Sequence, residues 1–132
     1  METQRYLLDT CILVNLFRGK PDTQQRIQTI GWKKCFTASA CLCELYAGAF
    51  KSGRTRDFRL IEWLTTKMII LPFDNAAITY GKIRARLEQQ GNKLDDMDML
   101  IASIAIDNNL TLVTGNTRHF SRIPGLKLEV WE

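Results

Sequence analysis

Apolar positions in this chain follow two rhythms. Tyr6-Leu7-Leu8 is a short run without polar alternation, as in a strand buried on both faces of a parallel sheet, and Lys67-Met68-Ile69-Ile70-Leu71-Pro72 and Leu110-Thr111-Leu112-Val113-Thr114 are further runs of strand length. Elsewhere apolar residues recur at three- and four-residue spacing: Ile12, Leu13, Leu16 and Phe17; Phe58, Ile61 and Leu64; Tyr80, Ile83 and Leu87; Met97, Leu100, Ile101, Ile104 and Ala105. With Gly31, Gly53 and Gly91 as stops, this predicts helices starting near residues 12, 23, 40, 56, 75 and 96. Ser39 and Asp74 read as N-caps of two of them. Cys35-Phe36-Thr37 is a further strand, and Leu126, Leu128 and Val130 alternate with Lys127 and Glu129 as a last, half-exposed one. Strands separated by helices predict an α/β three-layer sandwich, a central parallel sheet flanked by helices. No repeat, linker or low-complexity tract divides residues 1–132, so a single domain is expected.

Composition narrows the class without naming it. Hydrophobic content of 45% and charged content of 24% fit a soluble globular chain. No apolar run approaches the roughly 20 residues of a membrane span, and no leader pattern opens the sequence, so a cytoplasmic location is expected. Cys11, Cys35, Cys41 and Cys43 lie in apolar surroundings without a C-x-x-C pair and read as reduced, buried thiols. A net charge of +4 suits a polyanionic partner, although on its own it selects none.

Three acids stand out by position. Asp9 ends the first strand just where a helix begins, so it is either an N-cap or a carboxylate in the crevice where α/β sheets bind ligands. Glu44 sits in Ala40-Cys41-Leu42-Cys43-Glu44-Leu45-Tyr46-Ala47-Gly48-Ala49-Phe50, a helix apolar on every face, where an unpaired carboxylate is costly. Asp98 lies in the first turn of its helix on the side of Ile101, Ala102 and Ala105, which points it inward. Asp95 lies one turn earlier on that side, and Asp96 is rotated away. Structural readings compete: a salt bridge for Glu44, and compensation of the helix dipole for the aspartates. Together the three offer hard oxygen ligands suited to Mg²⁺ or Mn²⁺. His119, the sole histidine, follows Arg118 in a polar loop and reads as a surface residue. Without an evident general base, a metal-activated water is the expected nucleophile and a phosphodiester its target.

At this point the chain resembles a known family along its whole length. Leu7-Leu8-Asp9-Thr10, Glu44-Leu45-Tyr46-Ala47-Gly48-Ala49, Asp98-Met99-Leu100-Ile101-Ala102-Ser103-Ile104-Ala105, and Val113-Thr114-Gly115-Asn116 with Phe120 are similar to the ordered motifs of PIN-domain ribonucleases. The likeness is greatest to the VapC toxins of bacterial toxin–antitoxin pairs, and the tail from Ile123 to Trp131 shares it. The resemblance implies a single PIN domain and an Mg²⁺- or Mn²⁺-dependent endoribonuclease toxin that cuts structured RNA, often transfer RNA, and inhibits translation. It implies metal ligation by Asp9 and Asp98, with Glu44 as a ligand directly or through water, and site-orienting hydroxyls on Thr10 and Thr114. It also implies a homodimer, higher toxin–antitoxin assembly, and a cognate VapB-type antitoxin covering the cleft.

Two residues depart from the pattern. Asn116 stands where many PIN domains carry a fourth acid; it keeps a place in the catalytic set but brings no charge to a second metal. Cys11 replaces a polar residue, a change expected to affect packing only. Lys82, Arg86, Arg118 and Arg122 are candidate grips on RNA phosphates, and Lys51, Arg54, Arg56 and Arg59 flank the Glu44 helix. Phe58, Ile61, Trp63 and Leu64 read first as core, with an antitoxin groove as the other use. Among rivals, a haloacid-dehalogenase-type phosphatase needs a second Asp where Cys11 stands, and a receiver needs paired acids where Asp9 stands alone. A non-catalytic PIN-like module binding nucleic acid or a partner is the remaining alternative.

Overall fold

The computed structural model describes residues 4–131. Five strands form one wholly parallel sheet: β1 (Tyr6–Leu8), β2 (Cys35–Ala38), β3 (Ile69–Leu71), β4 (Thr111–Thr114) and β5 (Leu128–Val130), in the order β3-β2-β1-β4-β5. Seven helices flank it among the described residues: α1 (Thr10–Phe17), α2 (Pro21–Ile30), α3 (Ser39–Ser52), α4 (Thr55–Lys67), α5 (Ala77–Gln89), α6 (Asp96–Asp107) and α7 (Thr117–Phe120). The α/β sandwich expected from the pattern is the one observed. Central strands carry no alternation because both faces are covered: Leu7, Leu8, Leu112 and Val113 are all fully buried. The edge strands β3 and β5 are partly exposed.

The connections place a crevice. From β1 the chain crosses outward to β2 and β3, then returns through α5 and α6 to lay β4 on the other side of β1. The strand order therefore reverses between β1 and β4, and ligand sites in open α/β sheets form outside the carboxyl ends of the strands at such a point. Register there is fixed by Tyr6 opposite Thr111 and Leu8 opposite Val113. Asp9 extends the ladder by one bond, its N–H donating to the Val113 carbonyl at 2.9 Å.

Several local expectations are corrected. Ser39 is the first residue of α3 rather than its cap, and Ala38 occupies the cap position without a side-chain bond. Asp74 opens a single 3₁₀ turn ahead of α5 and caps nothing with its side chain. The second helix starts at Pro21, whose fixed φ and missing N–H suit a first turn. In the last strand Val130 is 43% exposed, whereas Trp131, just beyond it, is buried. Gly53 ends α3 in the left-handed region at φ 68°, with its N–H donating to the Ala49 carbonyl, a conformation glycine adopts at no steric cost.

Candidate active site

Asp9 does both things its position allows. Its Oδ1 accepts the Thr10 N–H at 2.8 Å, which caps α1, while Oδ2 accepts the Thr114 hydroxyl at 2.9 Å from the end of β4. The side chain is 8% exposed, and burial raises its carboxyl above the ordinary range. Bonds from Thr114 and Thr10 lower it, and the nearby charge of Asp98 raises it again. The strand end thus holds a buried carboxylate with donors from Thr10, Thr114 and Cys11 and no countercharge.

Glu44 is not buried. Helix α3 turns Cys43, Glu44, Ala47 and Gly48 to the outside and buries Ala40, Cys41, Leu45 and Ala49. Small residues counted as apolar in the pattern occupy an open face. Glu44 also has a partner, since the Thr10 hydroxyl donates to its Oε1 at 2.6 Å. Thr10 therefore links both acids: its N–H holds Asp9 and its hydroxyl holds Glu44.

Asp98 stands in the first turn of α6, half-buried, one turn beyond Asp95, whose Oδ1 caps the helix by accepting the Met97 N–H at 2.9 Å. Burial raises the Asp98 carboxyl, the bond from His119 lowers it, and the charges of Asp95 and Glu44 raise it. The charge of Asp98 thus acts on Asp9, and that of Glu44 on Asp98. Asp96 faces away and meets Tyr80 and Arg84.

His119 is exposed, as expected of a surface residue, but it also has a partner. Its Nδ1 lies 3.1 Å from Asp98 Oδ2. Cys11 likewise does more than pack, because its sulfur accepts the Gly115 N–H at 3.3 Å and its S–H lies 3.8 Å from Asp9 Oδ2. Cys35 and Cys41 are buried as expected, whereas Cys43 is exposed and Cys11 partly so; all four are free thiols. Asn116 is exposed just beyond β4, its backbone N–H bonded to the Thr114 hydroxyl at 3.1 Å.

A cleft of about 230 Å³ opens beside Thr10 and Glu44, lined by Leu45, Ala49 and Ile61 and rimmed by Arg18, Arg54 and Arg56. Arg18 is a neighbour the sequence reading did not single out. Lys82 and Arg86 lie exposed on α5 and Arg118 and Arg122 on or beyond α7. Trp63 leaves this face and meets Trp32 edge-on at 5.6 Å, while Ile61 and Leu64 are core.

The donor set can be tested against a divalent cation. Among the described residues no basic side chain pairs with Asp9 or Glu44, and no three His, Cys, Asp or Glu converge tightly enough to enclose an ion. Hard carboxylate oxygens that repel one another fit a cation that keeps much of its water shell, as Mg²⁺ does on one or two carboxylates. They do not fit an enclosed structural metal.

Fold and site together define the class: a parallel α/β sandwich with a carboxylate site at its switch point. The PIN domain family pattern matches residues 6–126. The chain is 36% identical over 129 residues to the tRNA(fMet)-specific endonuclease VapC of Shigella flexneri, covering 96% of this chain and 98% of the relative. It is 34% identical over 131 residues to Ribonuclease VapC2 of Rickettsia felis, with the same coverage. The solved structure of DNA-bound VapBC from Salmonella typhimurium superposes with a TM-score of 0.91 at 32% identity, covering 98% of this chain and 100% of that one. VapBC2 from Rickettsia felis bound to a promoter DNA fragment gives 0.88 at 34% identity, with 98% and 100% covered. The chain belongs to the PIN-domain family and, within it, to the VapC group.

Proposed function

We propose that this chain is a metal-dependent endoribonuclease toxin acting as a single PIN domain on structured RNA, with transfer RNA the leading candidate. The observation that carries the reading is the placement of Asp9 at the β1/β4 switch point, with Glu44 tied to it through Thr10 and Asp98 close enough to raise its carboxyl, while Asp9 and Glu44 have no basic partner among the described residues. Asp9 and Asp98 would hold Mg²⁺ or Mn²⁺, and Glu44 would join them directly or through water. When bound, the metal supplies Lewis-acid polarisation of a phosphodiester and lowers the pKa of a water toward neutrality. The remaining work belongs to this chain's own groups. Thr114 fixes Asp9, Thr10 fixes Glu44 against Asp9, and Asn116 presents a neutral amide at the mouth. Because these hydroxyls are bonded before substrate arrives, Asp9 and Glu44 need little reorganisation to hold a cation.

Recognition of RNA is assigned to cations around the cleft. Arg18, Arg54 and Arg56 rim it and would meet phosphates, with Arg118, Arg122, Lys82 and Arg86 extending the track. The relatives described as VapBC complexes support a cognate VapB-type antitoxin for this chain, and the proposed reading adds a homodimer, a higher toxin–antitoxin assembly and inhibition of translation in the cytoplasm. The apolar lining of Leu45, Ala49 and Ile61 between arginines suits an antitoxin segment that pairs apolar anchors with acidic residues.

The test is cleavage of a small-RNA pool by the purified chain in Mg²⁺ or Mn²⁺, with EDTA and Asp98→Asn as controls. Discrete fragments should appear only with metal and vanish in the variant. A folded protein that binds RNA or antitoxin but cuts nothing in either metal would return the chain to the non-catalytic alternative.

A further inference from the structure

We propose that His119 is a positioning residue of this site, holding one oxygen of Asp98 so that the other is offered to the cation in a fixed direction. The inference rests on the nuclease reading above and deepens it. Each acid has a restraint. Asp9 is held by the Thr10 N–H and the Thr114 hydroxyl, and Glu44 by the Thr10 hydroxyl. For Asp98 the corresponding restraint is the imidazole, whose Nδ1 lies 3.1 Å from Oδ2 across 21 positions of sequence. No other side-chain hydrogen bond reaches Asp98 among the described residues, so without His119 this acid would be the one without a restraint. A carboxylate that must be fixed on binding gives up that freedom at the expense of affinity.

The imidazole is exposed, and it is the short helix carrying it that is anchored. Phe120, the next residue, is 2% exposed, and α7 closes on itself through the Ser121 N–H to the Thr117 carbonyl at 2.9 Å. The His119–Asp98 contact therefore ties the short helix α7 to the start of α6. Nδ1 carries a hydrogen both in the imidazolium and in one neutral tautomer, so the restraint needs no particular charge on the ring. Outer partners of metal ligands act in this way, and their removal typically weakens metal binding by about 10- to 100-fold.

The experiment compares the full chain with His119→Ala, His119→Asn and His119→Gln by calorimetric titration with Mn²⁺ and Mg²⁺ in the absence of RNA. Thermal unfolding without metal and kcat and KM on RNA complete it. Asparagine places an amide nitrogen near Nδ1, and glutamine places one near Nε2. His119→Ala and His119→Gln should bind Mn²⁺ about tenfold more weakly, while His119→Asn stays within about threefold of the parent. At saturating metal kcat should fall in the first two with KM for RNA unchanged. Parent-like metal affinity in His119→Ala, whatever its melting temperature, overturns the proposal by reducing the contact to packing. Rescue by glutamine instead of asparagine also overturns it, since Nε2 would then be the working atom. If the parent chain itself takes up neither metal, the nuclease reading falls and this inference falls with it.

Discussion

The Thr114 hydroxyl is the smallest group on which the site depends. It is fully buried, donates to Asp9 Oδ2 and accepts the Asn116 N–H, so it joins an acid to the residue that follows β4. Thr114→Val keeps the shape and removes both bonds. A hydrogen bond to a charged group contributes about 1.5–3 kcal/mol, so urea unfolding should show a loss of that order. Cleavage should fall about tenfold or more, as expected where an outer partner of a metal ligand is lost. Parent-like turnover in this variant would mean that Asp9 needs no orientation from β4. At this scale the positions of Asp9 and Asp98 were legible because strand ends and helix starts announce themselves in the pattern, whereas Thr10 and Thr114 entered only through the family resemblance. Glu44 was found for a mistaken reason: Ala47 and Gly48 counted as apolar although they face outward, so the inferred burial was false. His119 and Cys11 were underestimated because their partners are remote in sequence or bonded through backbone, and one chain without coordinates carries no trace of either contact.

Helix α6 is the element that brings function and core together. Met99, Ile101, Ala102, Ser103, Ile104 and Ala105 are all buried, so its orientation is set by packing, and that orientation aims Asp98. Its start is set by Asp95. Asp95→Ala should cost about 1 kcal/mol through loss of the cap, readable in urea unfolding. It should also loosen the turn that carries Asp98 and weaken Mn²⁺ binding, although it removes a repelling charge from Asp98. Unchanged or tighter binding would show that repulsion outweighs the cap. Strands and long helices were legible because unbroken apolar runs and helical spacing are signals of whole elements. The caps at Ser39 and Asp74 were not, because whether a side chain bends back onto its own backbone depends on a few dihedral angles that composition does not fix. Val130 and Trp131 misled in another way: at a sheet edge, a neighbouring helix and not alternation decides which side is covered.

For the whole molecule, the interior is hostile to charge, and two thiols report it. Burial pushes the Cys35 thiol up to about 11 and the Cys41 thiol up to about 12 from an ordinary 9.0. Below pH 9 both folded and unfolded chains keep these protons, and the thiols leave stability unchanged. Above it the unfolded chain releases them first, so stability is lost as pH rises from about 9 to about 12, by up to about 1.4 kcal/mol per pH unit for each thiol. Cys41→Ala should flatten this alkaline limb, and in the folded parent at pH 8 a thiol reagent should modify Cys43 well before Cys41. A parent whose stability is level across that range would mean the interior relaxes to admit the charge. The strand order has a further consequence for the time at which activity first exists. β1 leaves the ribosome first, yet the hydroxyl that completes Asp9 arrives 105 positions later, with β4. On the proposed reading a nascent chain would carry an unfinished site through most of its synthesis, and the growing polypeptide would stay inert beside the ribosome that makes it.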